Sequence, residues 1–200
     1  MQIDEKLSYI RSWTNEHYED ANNDFNSQTE PDLFSVIEEI VEEKLPDDFQ
    51  TLYSIYNGET GEDHGVVFRL EFMDLKSIVH ELKYAKSSPS EELEDVTSYP
   101  EKAVKLRLYH YKWLPFLTDG CGNYIGIDCD PQVNGKKGQV ILYGANERVL
   151  AVLANNLYSF LDLCVKGINE YSKELLSQNH IHESLKYIAG VPNEFQTKWL

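Results

Sequence analysis

Two hundred residues with 42% hydrophobic side chains and 13 tyrosines suffice for one domain with a real core, and exclude a disordered chain. The net charge is −16, unevenly spread: residues 1–63 carry 17 acids against three bases, and residues 64–200 carry 17 acids against 15 bases. A field of that sign repels polyphosphate, which argues against direct nucleic-acid binding and for a basic protein partner; a merely soluble acidic surface explains the same numbers. The three cysteines, Cys121, Cys129 and Cys164, form no CxxC pair, as expected of small buried residues in a reducing compartment. The N-terminus has acids where a secretory leader needs positive charge, and no run reaches the length of a membrane span. The expectation is a cytoplasmic protein with no membrane partner.

Ile3, Leu7, Ile10 and Trp13 recur at helical spacing, which predicts an amphipathic helix over 4–20 and a polar linker to residue 28. Thr29 is placed to cap the next helix, with Pro31 in its first turn and Asp32 reaching back. Leu33, Ile37, Ile40 and Val41 form that helix's apolar stripe, and Glu38, Glu39, Glu42 and Glu43 its wet face. A third helix is predicted from Asp47 to Tyr56, with Asn57-Gly58 as its C-cap. Residues 59–65 read as a polar loop, Val66 to Phe72 as a strand, and Asp74 as the cap of a helix through about Tyr84. Residues 85–104 read as a solvated insert in which Ser88 could cap a short helix. Strand material follows from Leu106 to Phe116, then a meander to 153 and a long helix capped by Asn155 or Asn156, with Leu157, Phe160, Leu161, Cys164, Ile168, Tyr171 and Leu175 as its core stripe. The tail 179–200 carries Leu185, Tyr187, Ile188, Phe195 and Trp199, enough apolar surface to dock on the domain or on a partner. The order predicts an α+β fold with an antiparallel meander sheet flanked by helices.

The densest local signal lies between Trp113 and Val140. Asp119 starts a tight turn, and Gly122 and Asn123 accept positive φ there. From Tyr124 to Asp130 the chain alternates: Ile125, Ile127 and Cys129 face one side, and Tyr124, Gly126, Asp128 and Asp130 the other. Pro131 ends the strand, Asn134-Gly135 signals a hairpin, and Gln139 to Tyr143 returns as its partner. Gly126 within a strand predicts close approach by a backbone or a large side chain, hence a sculpted sheet face or small cleft.

Trp113, Pro115, Phe116, Asp119, Gly122, Asn123, Asp128, Pro131, Gly135, Gly138, Gln139 and Val140 follow a pattern that resembles the SUKH superfamily, bacterial relatives of the fungal cell-wall assembly and glucan synthesis regulators. An upstream element, Leu45-Pro46 through Tyr56-Asn57-Gly58, fits the same family, and the resemblance covers about residues 29–165. It implies the α+β architecture already read, organised as an N-terminal helix and linker (1–28), a SUKH-like domain (29–178) and a C-terminal extension (179–200). Pro46, Asn57, Gly58, Trp113, Pro115, Asp119, Gly122, Asn123, Asp128, Pro131 and Gly138 are expected to act as fold determinants.

The pattern carries no recognisable catalytic or metal-binding constellation. Cys121 with His110 is the one nucleophile–base pairing to name, and nothing flanking supports it. Asp119, Asp128 and Asp130 lack the spacing of a calcium loop; turn and strand-end hydrogen bonding explains them better. His180 and His182 have no third metal ligand and read as surface. Gly120, Gly122 and Gly126 are not a phosphate loop. The expectation is a non-enzyme with no catalytic residue, metal or cofactor.

The resemblance implies an immunity protein that neutralises a cognate polymorphic toxin, often a nuclease, by stoichiometric binding, as a monomer or weak oligomer. Nucleic-acid-binding toxins tend to be basic, which suits the acidic N-terminal third. Contact is expected through Glu38, Glu39, Glu42, Glu43, Glu59, Glu62 and Asp63, with Tyr56 or Tyr124 as aromatic anchors. The fungal relatives imply an alternative, a regulatory scaffold for cell-wall synthesis. A small-ligand binder using the cleft near Gly120–Gly126 is a third reading, weakened by the missing acid–base groups.

Overall fold

A computed structural model describes residues 1–18, 24–60, 65–170, 176 and 181–192. Its centre is a six-stranded mixed sheet in the order β3-β5-β6-β7-β8-β4. The strands are β3 (Glu71–Phe72), β4 (Thr97–Tyr99), β5 (Trp113–Thr118), β6 (Asn123–Asp128), β7 (Gln139–Gly144) and β8 (Val149–Ala154). The β5–β8 meander is antiparallel, as predicted. The edge strand β4 pairs with β8 in parallel, which the sequence reading missed. Its three residues, Thr-Ser-Tyr, are too short and too polar to show a period.

One face of the sheet carries Leu114, Phe116, Ile125, Ile127, Val140, Leu142 and Leu153, all in the main core. Helices α1 (Ile3–His17), α3 (Asp47–Ile55), α5 (Leu157–Glu170) and α6 (Ile181–Ile188) contribute to the same core. α2 (Asp32–Val41) packs on α4 (Leu75–Ser87), and α4 lies against β5. The N-terminal helix therefore shares the domain's core: Lys6 is 2% exposed, ion-paired to Asp162 of α5 and seated 3.5 Å over the Tyr158 ring. The linker before α2 supplies β1 (Asp24–Phe25), paired with β2 (Glu59–Thr60). In the tail, Leu185 and Ile188 dock on the core while Tyr187 stays exposed; Tyr171, Leu175, Phe195 and Trp199 lie outside the described residues.

Several local expectations are corrected. α2 starts at Asp32 with Pro31 at its N-cap position, and Thr29 makes no cap. α3 ends in extended chain at Tyr56, so Asn57-Gly58 is not a helical C-cap. Instead Asn57 N–H donates to Asn26 O (2.7 Å), and Asn26 N–H donates to Gly58 O (2.9 Å). The expected strand from Val66 folds back on itself: Phe68 and Arg69 take φ of 54° and 68°, and only Glu71 and Phe72 reach the sheet. No helix forms after Ser88. The insert instead crosses the second face of the sheet, burying Val96, Ala103 and Val104 against Trp113, Ile141, Tyr143 and Leu150. Tyr109 and Tyr111 precede the strand that begins at Trp113. Asp74 caps α4 by accepting from Ser77 N–H (2.7 Å), and Asn156 caps α5 by accepting from Ser159 N–H (2.8 Å).

Candidate functional site

The second face of the sheet is covered by the insert on one side and by α4 on the other, and a groove of about 180 Å³ remains between them. Its floor follows from the alternation of β5–β7. Trp113, Tyr124 and Tyr143 all project to this face, with Tyr143 centred 4.8 Å from Trp113 and stacked 5.6 Å from Tyr124. Gly126 makes that stack possible: a Cβ there would lie 2.8 Å from Leu114 O and 3.1 Å from Tyr143 Cε1. The predicted close approach is thus by both a backbone and a large side chain. Pro115, which lacks an N–H, sits opposite Gly126 where the β5–β6 register shifts, one of the places a proline fits within a sheet.

The walls come from residues the sequence reading did not select for a site. Glu81, Tyr84 and Ala85 line one side from α4, and Leu108, Tyr109 and His110 the other. Tyr84 and Tyr109 lean together at 5.5 Å. Glu81, Tyr84 and Ala85 are spaced by three and four, so they share a helix face beside the apolar stripe; that spacing was the available signal. Glu81 accepts from the Tyr124 hydroxyl at 3.3 Å. Burial, then the charge of Glu81 and its hydrogen bond, push the Tyr124 phenol up to about 12. Burial, helped by the charge of Lys105, brings His110 down to about 4, so its ring is neutral at pH 7. Its Nδ1 accepts from Lys112 N–H (3.1 Å), which leaves the proton on Nε2.

Other motif residues fix the two ends of β6, the central strand of the groove floor. Asp119 Oδ1 accepts from the N–H groups of Cys121 (2.7 Å) and Asn123 (3.1 Å), and Oδ2 accepts from Asn123 Nδ2 (2.6 Å). Asn123 Oδ1 accepts from Asn146 N–H (2.9 Å), joining this turn to the β7–β8 turn. Gly122 lines the groove at φ +88°, where a Cβ would be strained. At the other end of β6, the buried Asp128 accepts from Asp130 N–H (2.9 Å) and from Gln139 Nε2 (2.9 Å). Gly138 N–H donates to Asp128 O (2.8 Å), and Pro131 follows the strand. The fully buried Trp113 indole N–H faces the Asp128 carboxyl at a geometry short of a hydrogen bond. Further away, Pro46 opens α3, and Asn57 accepts from Leu75 N–H (2.8 Å) and donates to Gln28 O (3.2 Å).

The acids expected to meet a partner are largely engaged with the protein itself. Glu38 pairs with Lys44 (2.7 Å), Glu42 with Lys86 (3.0 Å) and Glu43 with Lys137 (2.6 Å). Each of these hydrogen-bonded lysines holds its carboxyl below the ordinary glutamate value. The wet face of α2 is therefore stitched to α4 and to the β6–β7 loop, while Glu39 remains exposed. Glu59 accepts from Val66 N–H and Phe72 N–H, both at 2.9 Å, and so organises the 65–72 loop. Tyr56 is half-buried and stacked on Phe25 at 4.7 Å. Among the seven proposed contact residues that the structure describes, Tyr124 alone lines the groove. Glu62 and Asp63 lie outside the described residues.

No hydrogen bond joins Cys121 to His110. Cys121 and Cys129 stand beyond opposite ends of β6, and burial pushes the Cys129 thiol up to about 12. Among the described residues no three acidic, histidine or cysteine side chains are placed to hold a metal ion, and no helix is long and apolar enough to cross a membrane. His182 is not a surface residue: its Nδ1 lies 3.0 Å from the buried Glu147. His180 is outside the described residues. A second cavity of about 600 Å³ runs beside β4, but none of its lining residues belongs to the two sequence motifs.

An α+β domain whose motif residues frame an aromatic groove, with no assembled nucleophile or metal cluster among the described residues, is a domain of the SUKH class. The chain belongs to the SMI1/KNR4 family (SUKH-1), whose family model matches residues 28–163. It is 27% identical over 191 residues to the cell wall assembly regulator SMI1 of Saccharomyces cerevisiae, covering 76% of this chain and 38% of the relative. It is 28% identical over 165 residues to the cell wall biosynthesis/cell cycle regulator smi1 of Schizosaccharomyces pombe, covering 75% and 32%. A glucan synthesis regulatory protein of Neurospora crassa is 21% identical over 197 residues, covering 80% and 37%. The chain spans less than two-fifths of the length of these relatives, all named as regulators rather than enzymes.

Proposed function

We propose that this chain is a non-catalytic, cytoplasmic regulatory scaffold, related to the control of cell-wall synthesis, that binds a protein partner through the aromatic groove. The observation that carries this reading is the groove itself: Trp113, Pro115, Gly122 and Tyr124, all within the 113–140 pattern, meet there. Buried and half-buried aromatic rings beside a polar rim are the composition of a binding hot spot. The names of the fungal relatives support a regulatory role, and the absence of a nucleophile–base pair from the motif supports a binding mechanism.

The test is affinity capture from the cell that encodes the chain, comparing wild type with Tyr84→Ala. Tyr84 is 52% exposed, so its removal leaves the core intact. A defined host partner held by the wild type and lost with Tyr84→Ala supports the scaffold. Capture unaffected by the substitution removes the groove from the interface.

A second reading, stoichiometric neutralisation of a basic toxin, is favoured by the net charge of −16. A toxin domain encoded beside this chain, bound one-to-one in calorimetry with an affinity that falls as salt rises, would put this reading first.

A further inference from the structure

We infer that the groove takes an arginine side chain of the protein partner; this rests on the docking reading above and names the chemistry of the anchor. Size sets the first limit. A cavity of about 180 Å³ is smaller than the roughly 300–1,000 Å³ typical of small-molecule sites, and suits one long side chain.

Charge sets the second. Among the described residues Glu81 is the one formally charged side chain lining the groove. Its Oε2 accepts from Tyr124, and its Oε1 accepts no hydrogen bond among the described residues. Asp119 and Glu71 also act on Tyr124, so the negative potential at that end has three sources. His110, neutral at pH 7, adds no opposing charge. Of the nearby cations, Lys86 pairs with Glu42, Lys105 with Asp130 and Lys112 lies 4.0 Å from Glu42, while Arg107, on the His110 side, donates to Ser90 O.

Shape sets the third. Tyr124, Tyr84 and Tyr109 present partly exposed rings above a floor made by the buried Trp113 and Tyr143. A planar guanidinium stacks flat on such faces while its fork of donors meets a carboxylate with two parallel hydrogen bonds; an ammonium is a point charge without that planar fork. Glu81 provides that carboxylate, and the rings provide the faces.

The experiment is an NMR titration of the full chain with N-acetyl-arginine methylamide, run against the same derivatives of citrulline and lysine. Citrulline keeps the shape of arginine without the charge. The expected result is saturable shifts at the Trp113 indole N–H and at the Gly122, Tyr124 and Tyr143 amides. Binding should be at least about tenfold weaker for citrulline and for Glu81→Gln, which keeps an acceptor for Tyr124. Equal binding of citrulline, arginine shifts confined to other surfaces, or an unaffected Glu81→Gln protein would each overturn the inference. If the arginine probe leaves the groove untouched while Tyr84→Ala still abolishes partner capture, the inference fails and the docking reading stands. If Tyr84→Ala leaves capture unchanged, the docking reading falls and takes the inference with it.

Discussion

The Tyr143 ring crosses the place where Gly126 has no side chain, so that a Cβ on residue 126 would stand 3.1 Å from Tyr143 Cε1 and 2.8 Å from the Leu114 carbonyl oxygen. The second contact is with backbone, which yields less readily than a side chain. Gly126→Ala should therefore lower stability by about 1–3 kcal/mol, the range for overpacking a filled site. It should also shift the Tyr143 ring and the groove floor. Urea denaturation reads the first effect, and aromatic NMR shifts of Tyr143 and Trp113 the second; an unchanged midpoint would contradict the close packing.

Asp128 gives the protein a pH dependence of unusual sign. Burial pushes its carboxyl up to about 6, against the pull of hydrogen bonds from Gln139 and the Asp130 backbone. A group with a raised folded value holds its proton more tightly when folded. Its contribution to stability is full below the unfolded value near pH 4 and is lost as pH rises through about 6. Stability measured as wild type minus Asp128→Asn should fall by about 2 kcal/mol between pH 4 and pH 7. The other carboxylates are common to both proteins and cancel in that difference. A flat difference would falsify the raised value.

The C-terminal helix is fastened by charge. Lys186 and Glu147 are both buried and ion-paired, Glu183 lies 2.9 Å from Lys186, and His182 lies 3.0 Å from Glu147. Burial pushes the Glu147 carboxyl up, but the His182 hydrogen bond and the charges of Lys186 and His182 outweigh it, and the net displacement is downward. A lowered carboxylate contributes stability above its unfolded value and loses it as pH falls through the folded one. α6 should therefore loosen in acid, opposite in sign to the effect of Asp128. At neutral pH Glu147→Gln removes one partner of a buried pair, which costs roughly 3–5 kcal/mol in general. Glu183 remains beside Lys186, so the loss should fall at or below the low end of that range. Hydrogen exchange over residues 181–188 is the readout; protection equal to wild type would show that α6 is held by its apolar face alone.

Reversing the acids of α2 should not be structurally silent. Glu42→Lys places a cation beside Lys86 and Lys112, whereas Glu39→Lys projects from an exposed position. The first substitution should lower the thermal midpoint at low salt and recover much of it in 1 M salt, where surface repulsion is screened. The second should leave the midpoint unchanged. Identical behaviour of the two variants would show that the Glu42 pairs contribute nothing measurable, as many surface pairs do. Association-rate experiments on this face should accordingly use Glu39.

The meander was legible in the sequence because each of its strands carries its own evidence. The alternation after Tyr124 gave the two faces correctly. Gly126 announced a close approach, and Asp119, Gly122 and Asn123 announced the turn, since these depend on φ, on a missing Cβ and on hydrogen bonds within a few residues. The strand expected from Val66 failed because its apolar residues bury themselves in a tight loop anchored by Glu59, which accepts from Val66 N–H and Phe72 N–H. β4 was missed because three polar residues become a strand only through the neighbour that pairs with them.

What the sequence determined by itself was the family, the α+β class and the local geometry around the Asp119 turn, because short-range spacing encodes backbone conformation and burial period. What only the tertiary structure decided was where charge and aromatic surface end up. Glu42 looks like solvent-facing charge until Lys86, 44 residues later, is brought to 3.0 Å from it. Tyr84, Tyr109, Trp113 and Tyr143 are unconnected aromatics until α4, the segment before β5 and the sheet place them around one groove. Electrostatic and packing energies act through distance in space, and separation along the chain does not reveal it.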